Sequence, residues 1–149
     1  MKIKDILAKK GTAVVTIVER KTVHDALATF AANKVGSLLV LDEKGGIVGI
    51  LAARDVLMAA LKNCERLSIT PVKEIMTKKI IIGDPEDDIA YVQTIMTENR
   101  IRHLPVVAEH KLSGIISIGD IVKAQLAEHE GVAVENRYLK DYIIGKYPA

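Results

Sequence analysis

The 149-residue sequence has one cysteine, Cys64, so neither an intrachain disulfide nor a cysteine-rich metal site can form, and a reducing compartment is the expected setting. It has no tryptophan, one phenylalanine and four tyrosines. Core volume must therefore come from Ile, Val, Leu, Ala and Met, and aromatic platforms for stacking bases are disfavoured. No sign of charge dominates: 21 Lys and Arg stand against 19 Asp and Glu, interspersed rather than in blocks, which argues against nucleic acid as the main partner. No uncharged apolar run approaches the roughly 20 residues of a membrane span. The first residues, MKIKDILAKKG, carry charge throughout, where a signal peptide would be apolar. The expectation is a soluble, cytoplasmic protein without a membrane partner.

Motifs of catalysis are missing as well. Gly45, Gly46 and Gly49 have the spacing of a hairpin turn, not of a dinucleotide-binding loop, and there is no P-loop, His-Glu-x-x-His or Gly-x-Ser-x-Gly. The four histidines, 24, 103, 110 and 129, fall on unrelated elements. The expectation is a protein that is not an enzyme, with no catalytic residues, no metal and no catalytic cofactor.

What the sequence does contain is a copy of itself. TVHDALATFAANKVGSLLVLDEKGGIVGILAARDVL, from Thr22, matches DIAYVQTIMTENRIRHLPVVAEHKLSGIISIGDIV, from Asp88. Val23 aligns with Ile89, Phe30 with Met96, Asn33 with Asn99, Lys34 with Arg100 and Leu38 with Leu104. After one deleted turn residue, Gly49 aligns with Gly114 and Asp55 with Asp120. Upstream, Lys4-Asp-Ile-Leu7 matches Lys73-Glu-Ile-Met76, so each copy is expected to carry its own lead-in helix. The boundaries that follow are 1–66 and 67–129 for the two motifs and 130–149 for a C-terminal appendage.

Periodicity changes in the same order in both copies. Residues 13–18 (AVVTIV) and 79–84 (KIIIGD) are short β-branched runs suited to strands. Helical stretches follow, with apolar residues near i, i+3, i+4 and i+7. The second of these is expected to start at Pro85, whose ring is preset for a first turn, with acidic residues at the positive end of the dipole. SLLVL and HLPVV then read as buried strands, each joined by a turn to IVGILA and LSGIIS. Pro105, without an N–H, suits an edge or a strand that stops pairing there. A second helix begins near Arg54 and near Gly119. The fold class is α/β (α+β), with the unit β-α-β-β-α repeated.

This order, with the phrases EIMT, MTENRIRHLPVV and SIGDIVK, resembles the CBS domain pair, or Bateman module, over nearly the whole chain, and more narrowly the small stand-alone bacterial proteins built from one pair. The resemblance implies two motifs related by pseudo-twofold symmetry, clefts between them that bind adenosine-containing ligands (AMP, ADP, ATP, NAD or S-adenosylmethionine), and a homodimer of pairs. The second helices, DVLMAALKNC and DIVKAQLAEH, are apolar over more than one strip, which also points to association.

The family's Ser/Thr-x-x-Asp pattern is met by Ser117-Ile-Gly-Asp120. Its carboxylate either caps a helix or accepts hydrogen bonds from the ribose hydroxyls, with Ser117 and the helix start toward a phosphate. The first copy reads Ala52-Ala-Arg-Asp55: the carboxylate remains, the hydroxyl is gone, and Arg54 is either a phosphate contact or a surface residue. Arg102 and His103 stand where the first copy has Gly36 and Ser37. Cations at a strand end suit phosphate, while small residues let a base approach the backbone; His103 is alternatively a neutral core histidine. By resemblance, adenine would meet Val15 near Thr12 in the cleft of Asp120, and Ile81 near Thr77 in the cleft of Asp55. Lys10, Lys78 and Lys79 edge the clefts or are plain surface lysines. Retention of both aspartates and of Arg102 favours a nucleotide sensor, with AMP or NAD leading, over a scaffold with vestigial clefts or a cleft-based hydrolase. A regulated protein partner is implied but not named by the residues.

Overall fold

The computed structural model of the chain describes residues 1–129; the expected appendage at 130–149 lies outside the described residues. In chain order the elements are α1 (Ile3–Lys10), β1 (Thr16–Val18), α2 (Val23–Asn33), β2 (Ser37–Leu41), β3 (Ile47–Ala52), α3 (Ala53–Asn63), 3-10 turns at Cys64–Ile69 and Val72–Glu74, α4 (Ile89–Glu98), β4 (His103–Ala108), β5 (Lys111–Ser117) and α5 (Ile118–His129). The chain is mixed α/β, with the order β-α-β-β-α in the first copy and α-β-β-α in the second. Two compact units result among the described residues: Thr12–Ile82, and Met1–Gly11 together with 83–129.

In the Thr12–Ile82 unit, β1 lies parallel to β2, and β2 antiparallel to β3. Helix α2 starts where Thr22 and Asp25 cap each other: the Asp25 N–H donates to Thr22 Oγ1 at 3.2 Å and the Thr22 N–H to Asp25 Oδ2 at 3.0 Å. Val23 and Ala26 are buried on one stripe of the helix, against Leu38, Val40 and Leu51 of the sheet, Val56 of α3 and Val72. The alternation of a strand with one face on this core appears in β3, where Gly49 and Leu51 are buried and their neighbours only half so.

In the other unit β4 and β5 form a hairpin in the register of β2 and β3. His103 opposes Ser117 as Ser37 opposes Ala52, Val106 opposes Gly114 as Val40 opposes Gly49, and the register shifts just after each. The deleted turn residue leaves a two-residue connection in which Glu109 and His110 both take positive φ, 50° and 65°, the twist-matching turn of tight hairpins.

The strand expected at 79–84 does not form. Only Gly83 bridges to Val106, accepting the Val107 N–H and donating to the Pro105 carbonyl, both at 2.9 Å. The first copy explains why. There the Leu39 N–H donates to the Val15 carbonyl at 3.1 Å and extends the parallel pairing. Pro105 occupies the position of Leu39 and has no N–H to give. Pro105 thus ends the pairing on its edge, although it is itself buried in β4.

The expected helix start at Pro85 moves too. Asp84 accepts the Glu86 N–H at 2.8 Å and closes a turn around the proline, while Asp88 accepts the Ala90 N–H at 2.9 Å and becomes the cap of α4.

Each unit is completed by a lead-in from the other repeat. Helix α1 packs on β5 and α5, with its Ile3 and Lys4 N–H groups bonded to the carbonyls of Asp87 and Pro85. The corresponding segment at 71–77 joins the first copy. It enters by the Thr22–Pro71 bridge, contains a 3-10 turn instead of an α-helix, and leaves through paired bonds between Ile50 and Thr77, 3.0 and 2.9 Å. Glycines make room for both: a side chain at Gly114 would come within 2.7 Å of Leu7, and one at Gly49 within 2.5 Å of Met76.

Candidate functional site

At the junction of β5 and α5, Ser117 and Asp120 form a reciprocal cap. Ser117 Oγ accepts the Asp120 N–H at 3.1 Å, and Asp120 Oδ2 accepts the Ser117 N–H at 2.8 Å. Unlike an ordinary cap, Oδ2 also receives the Lys10 ammonium at 2.6 Å, while Lys10 donates a second bond to the Ile115 carbonyl at 2.9 Å. Burial of the Asp120 carboxyl pushes its pKa up, but the Lys10 and Ser117 hydrogen bonds outweigh this and hold it below its ordinary 3.8.

His103 faces Ser117 across the β4–β5 ladder. Burial, with the Lys10 and Arg102 charges, lowers the His103 pKa from its ordinary 6.5 against the opposing pull of Asp120. Arg102 is exposed and its carbonyl accepts the first N–H of α5, from Ile118, at 2.9 Å. One helix N-terminus thus gathers Ser117, Asp120, Arg102 and His103, all named from sequence, with Lys10 added from α1. Lys10 had appeared there only as a lysine at a cleft edge. Its pairing with Asp120 becomes visible only once α1 is known to pack with the second repeat.

The first copy repeats the frame without the cations. Asp55 Oδ2 accepts the Ala52 N–H at 2.9 Å, its Oδ1 accepts the Thr77 hydroxyl at 3.3 Å, and the Gly36 carbonyl accepts the Ala53 N–H at 3.1 Å. Asp55 and Thr77 are therefore brought together. Ser37 is buried, and Arg54 and Gly36 are exposed. Val15 packs half-buried on the core of this unit, Thr12 is exposed and Ile81 is half-buried.

An aspartate at the third helical position that accepts the N-cap N–H is a habit of this chain, since Asp5 and Asp25 do the same. The cap geometry of Asp55 and Asp120 is thus shared with two helix starts, at Asp5 and Asp25, that hold none of the predicted site residues, and Lys10 is what sets Asp120 apart. None of the predicted residues lines the open groove of about 420 Å³ bounded by Asn63, Arg66, Pro71 and Glu74 in the Thr12–Ile82 unit. Among the described residues no His, Cys, Asp and Glu cluster could hold a metal, and no helix is long and apolar enough to cross a membrane.

The family model of the CBS domain matches residues 3–62 and again residues 72–127. The chain is 33% identical over 153 residues to the mitochondrial CBS domain-containing protein CBSX3 of Arabidopsis thaliana, an alignment that takes in 97% of this chain and 73% of that protein. Among solved structures, the CBS-domain containing protein ATU1752 from Agrobacterium tumefaciens superposes with a TM-score of 0.81 at 35% identity, over 84% of this chain and 99% of that one. The CBS domain pair of protein MJ0100, solved in complex with 5′-methylthioadenosine and S-adenosyl-L-methionine, has a TM-score of 0.74 at 24% identity over 86% and 98% of the two chains. That last likeness is one of fold.

Proposed function

The chain belongs to the CBS-domain family, in two tandem copies, and from that premise we propose a non-catalytic sensor that binds an adenosine-containing ligand (AMP, ADP, ATP or NAD) through the cluster around Asp120. The observation that carries this reading is the setting of the carboxylate: Asp120 stays ionised at a helix N-terminus, within reach of Ser117, Lys10 and the Arg102–His103 strand end. A carboxylate accepts ribose hydroxyls, and cations beside the positive end of a helix dipole suit phosphate. The MJ0100 complex, with two adenosine-containing ligands on the same fold, lends support to the ligand class. The cations Lys10 and Arg102 favour a phosphate over the sulfonium of S-adenosylmethionine. Asp55, with Arg54, Gly36, Ser37, Thr77 and Ile81, would make the weaker counterpart, because Ala52 supplies no hydroxyl.

Titration calorimetry tests the reading. Asp120→Ala should weaken AMP and NAD by about 2 to 3 kcal/mol, or roughly thirty- to more than a hundredfold. Arg102→Ala should weaken AMP far more than adenosine. A second reading, a scaffold whose clefts are vestigial, draws on the recurrence of the same aspartate cap at Asp5 and Asp25. It predicts that Asp120→Ala lowers stability by about 1 kcal/mol and leaves binding unchanged or absent throughout.

The proposal extends to a cytoplasmic homodimer acting on a regulated protein. Cys64 is a free, exposed thiol, in keeping with a reducing compartment. Leu57, Met58 and Leu61 of α3 are 69%, 48% and 81% exposed along one side of the helix, a face that supports association.

A further inference from the structure

Lys10 holds Asp120 through one oxygen only, and this leaves a specific pattern of unused groups. The ammonium spends two of its three N–H bonds, on Asp120 Oδ2 and the Ile115 carbonyl. Asp120 spends Oδ2 on Lys10 and the Ser117 N–H. The third N–H of Lys10 and the Oδ1 of Asp120 have no partner among the described residues. They sit on groups held 2.6 Å apart whose side chains keep 35% and 23% of their surface exposed, so both are open to a ligand.

A free donor beside a free acceptor, fixed by their mutual bond and by one bond each to the backbone, suits two adjacent hydroxyls, one accepting and one donating. Resting on the proposed nucleotide site, we infer that Lys10 is a ligand-contacting residue that reads the vicinal diol of ribose together with Asp120: one hydroxyl donates to Asp120 Oδ1 and its neighbour accepts from Lys10 Nζ. The first copy lacks this pair. Both oxygens of Asp55 are already bonded, to the Ala52 N–H and to Thr77. Lys79, which stands in the repeat where Lys10 does, makes no hydrogen bond to Asp55. Diol recognition therefore belongs to the Asp120 cluster.

The experiment titrates adenosine, 2′-deoxyadenosine and 3′-deoxyadenosine into the intact chain and into Lys10→Met, Lys10→Arg and Asp120→Ala, with thermal melts alongside. The wild type should bind adenosine roughly tenfold or more tightly than either deoxy compound, each of which forfeits one charge-assisted bond. Lys10→Met should weaken adenosine by roughly ten- to a hundredfold and erase the penalty for one deoxy compound while keeping the other. Lys10→Arg, which retains donors and charge, should recover most of the affinity and guards against a merely unfolded Met variant. Adenosine affinity unchanged in Lys10→Met overturns the inference and leaves the nucleotide site standing if Asp120→Ala still weakens binding roughly thirtyfold or more. Weakened binding with both deoxy penalties intact also overturns it, since Lys10 would then only position Asp120. A wild type that binds neither adenosine nor AMP nor NAD overturns the inference and the nucleotide reading together.

Discussion

His103 should make the stability of this protein sensitive to mild acid. Burial first, then the charges of Lys10 and Arg102, hold its folded pKa below the ordinary 6.5, and Asp120 only partly offsets them. Folding therefore favours the neutral ring. Its contribution is present above about pH 6.5 and is lost as pH falls through that value toward the lowered folded pKa. Asp120, also depressed, acts in the same direction but around its lower ordinary value of 3.8. The melting temperature should thus drop between pH 7 and pH 5 in the wild type and drop less in His103→Gln, as thermal melts across that range will show. The sequence held most of this cluster in view: the Ser117-to-Asp120 spacing and the Arg102–His103 pair are local patterns. Lys10 was not legible as a partner because 110 residues separate it from Asp120, and nothing local encodes that contact.

At the scale of elements, hydrophobic period and turn chemistry located most helices and strands, and each failure has its own cause. A strand at 79–84 was expected from β-branched composition alone, but a strand exists only if its neighbour offers donors, and Pro105 withholds one. The helix start assigned to Pro85 likewise lost to a local competitor, the Asp84 turn and the Asp88 cap. The hairpin glycines carry a further element-level consequence. A methyl added at Gly114 meets only the movable end of Leu7. At Gly49 it meets Met76 Sδ at 2.5 Å and also the Thr77 carbonyl at 3.0 Å, which is held by its bond to Ile50. Gly49→Ala should cost about 1 to 3 kcal/mol, the range for overpacking, and more than Gly114→Ala, as denaturant melts of the two variants will show.

At the scale of the molecule, the described residues include exposed apolar side chains on two helices. Leu57 and Leu61 on α3 and Val122 and Leu126 on α5 are each at least 42% exposed, so the proposed homodimer should appear in sedimentation at micromolar concentration. Leu57→Glu with Leu61→Glu should shift it toward monomer without loss of helicity. A wild type that sediments only as a monomer contradicts the dimer. Duplication of the chain could be read directly from matched positions, whereas the exchange of lead-ins could not, since each lead-in looks the same whichever copy it joins. That exchange also sets an order of events during synthesis. Residues 3–10 leave the ribosome well before the groups they dock on, from Pro85 and Asp87 to Asp120, are made. The unit from Thr12 to Ile82 can close while translation continues. Ile3, Ile6 and Leu7, fully or almost fully buried in the finished fold, must wait in the open until the second repeat has emerged, so α1 is made before the first repeat and placed after it.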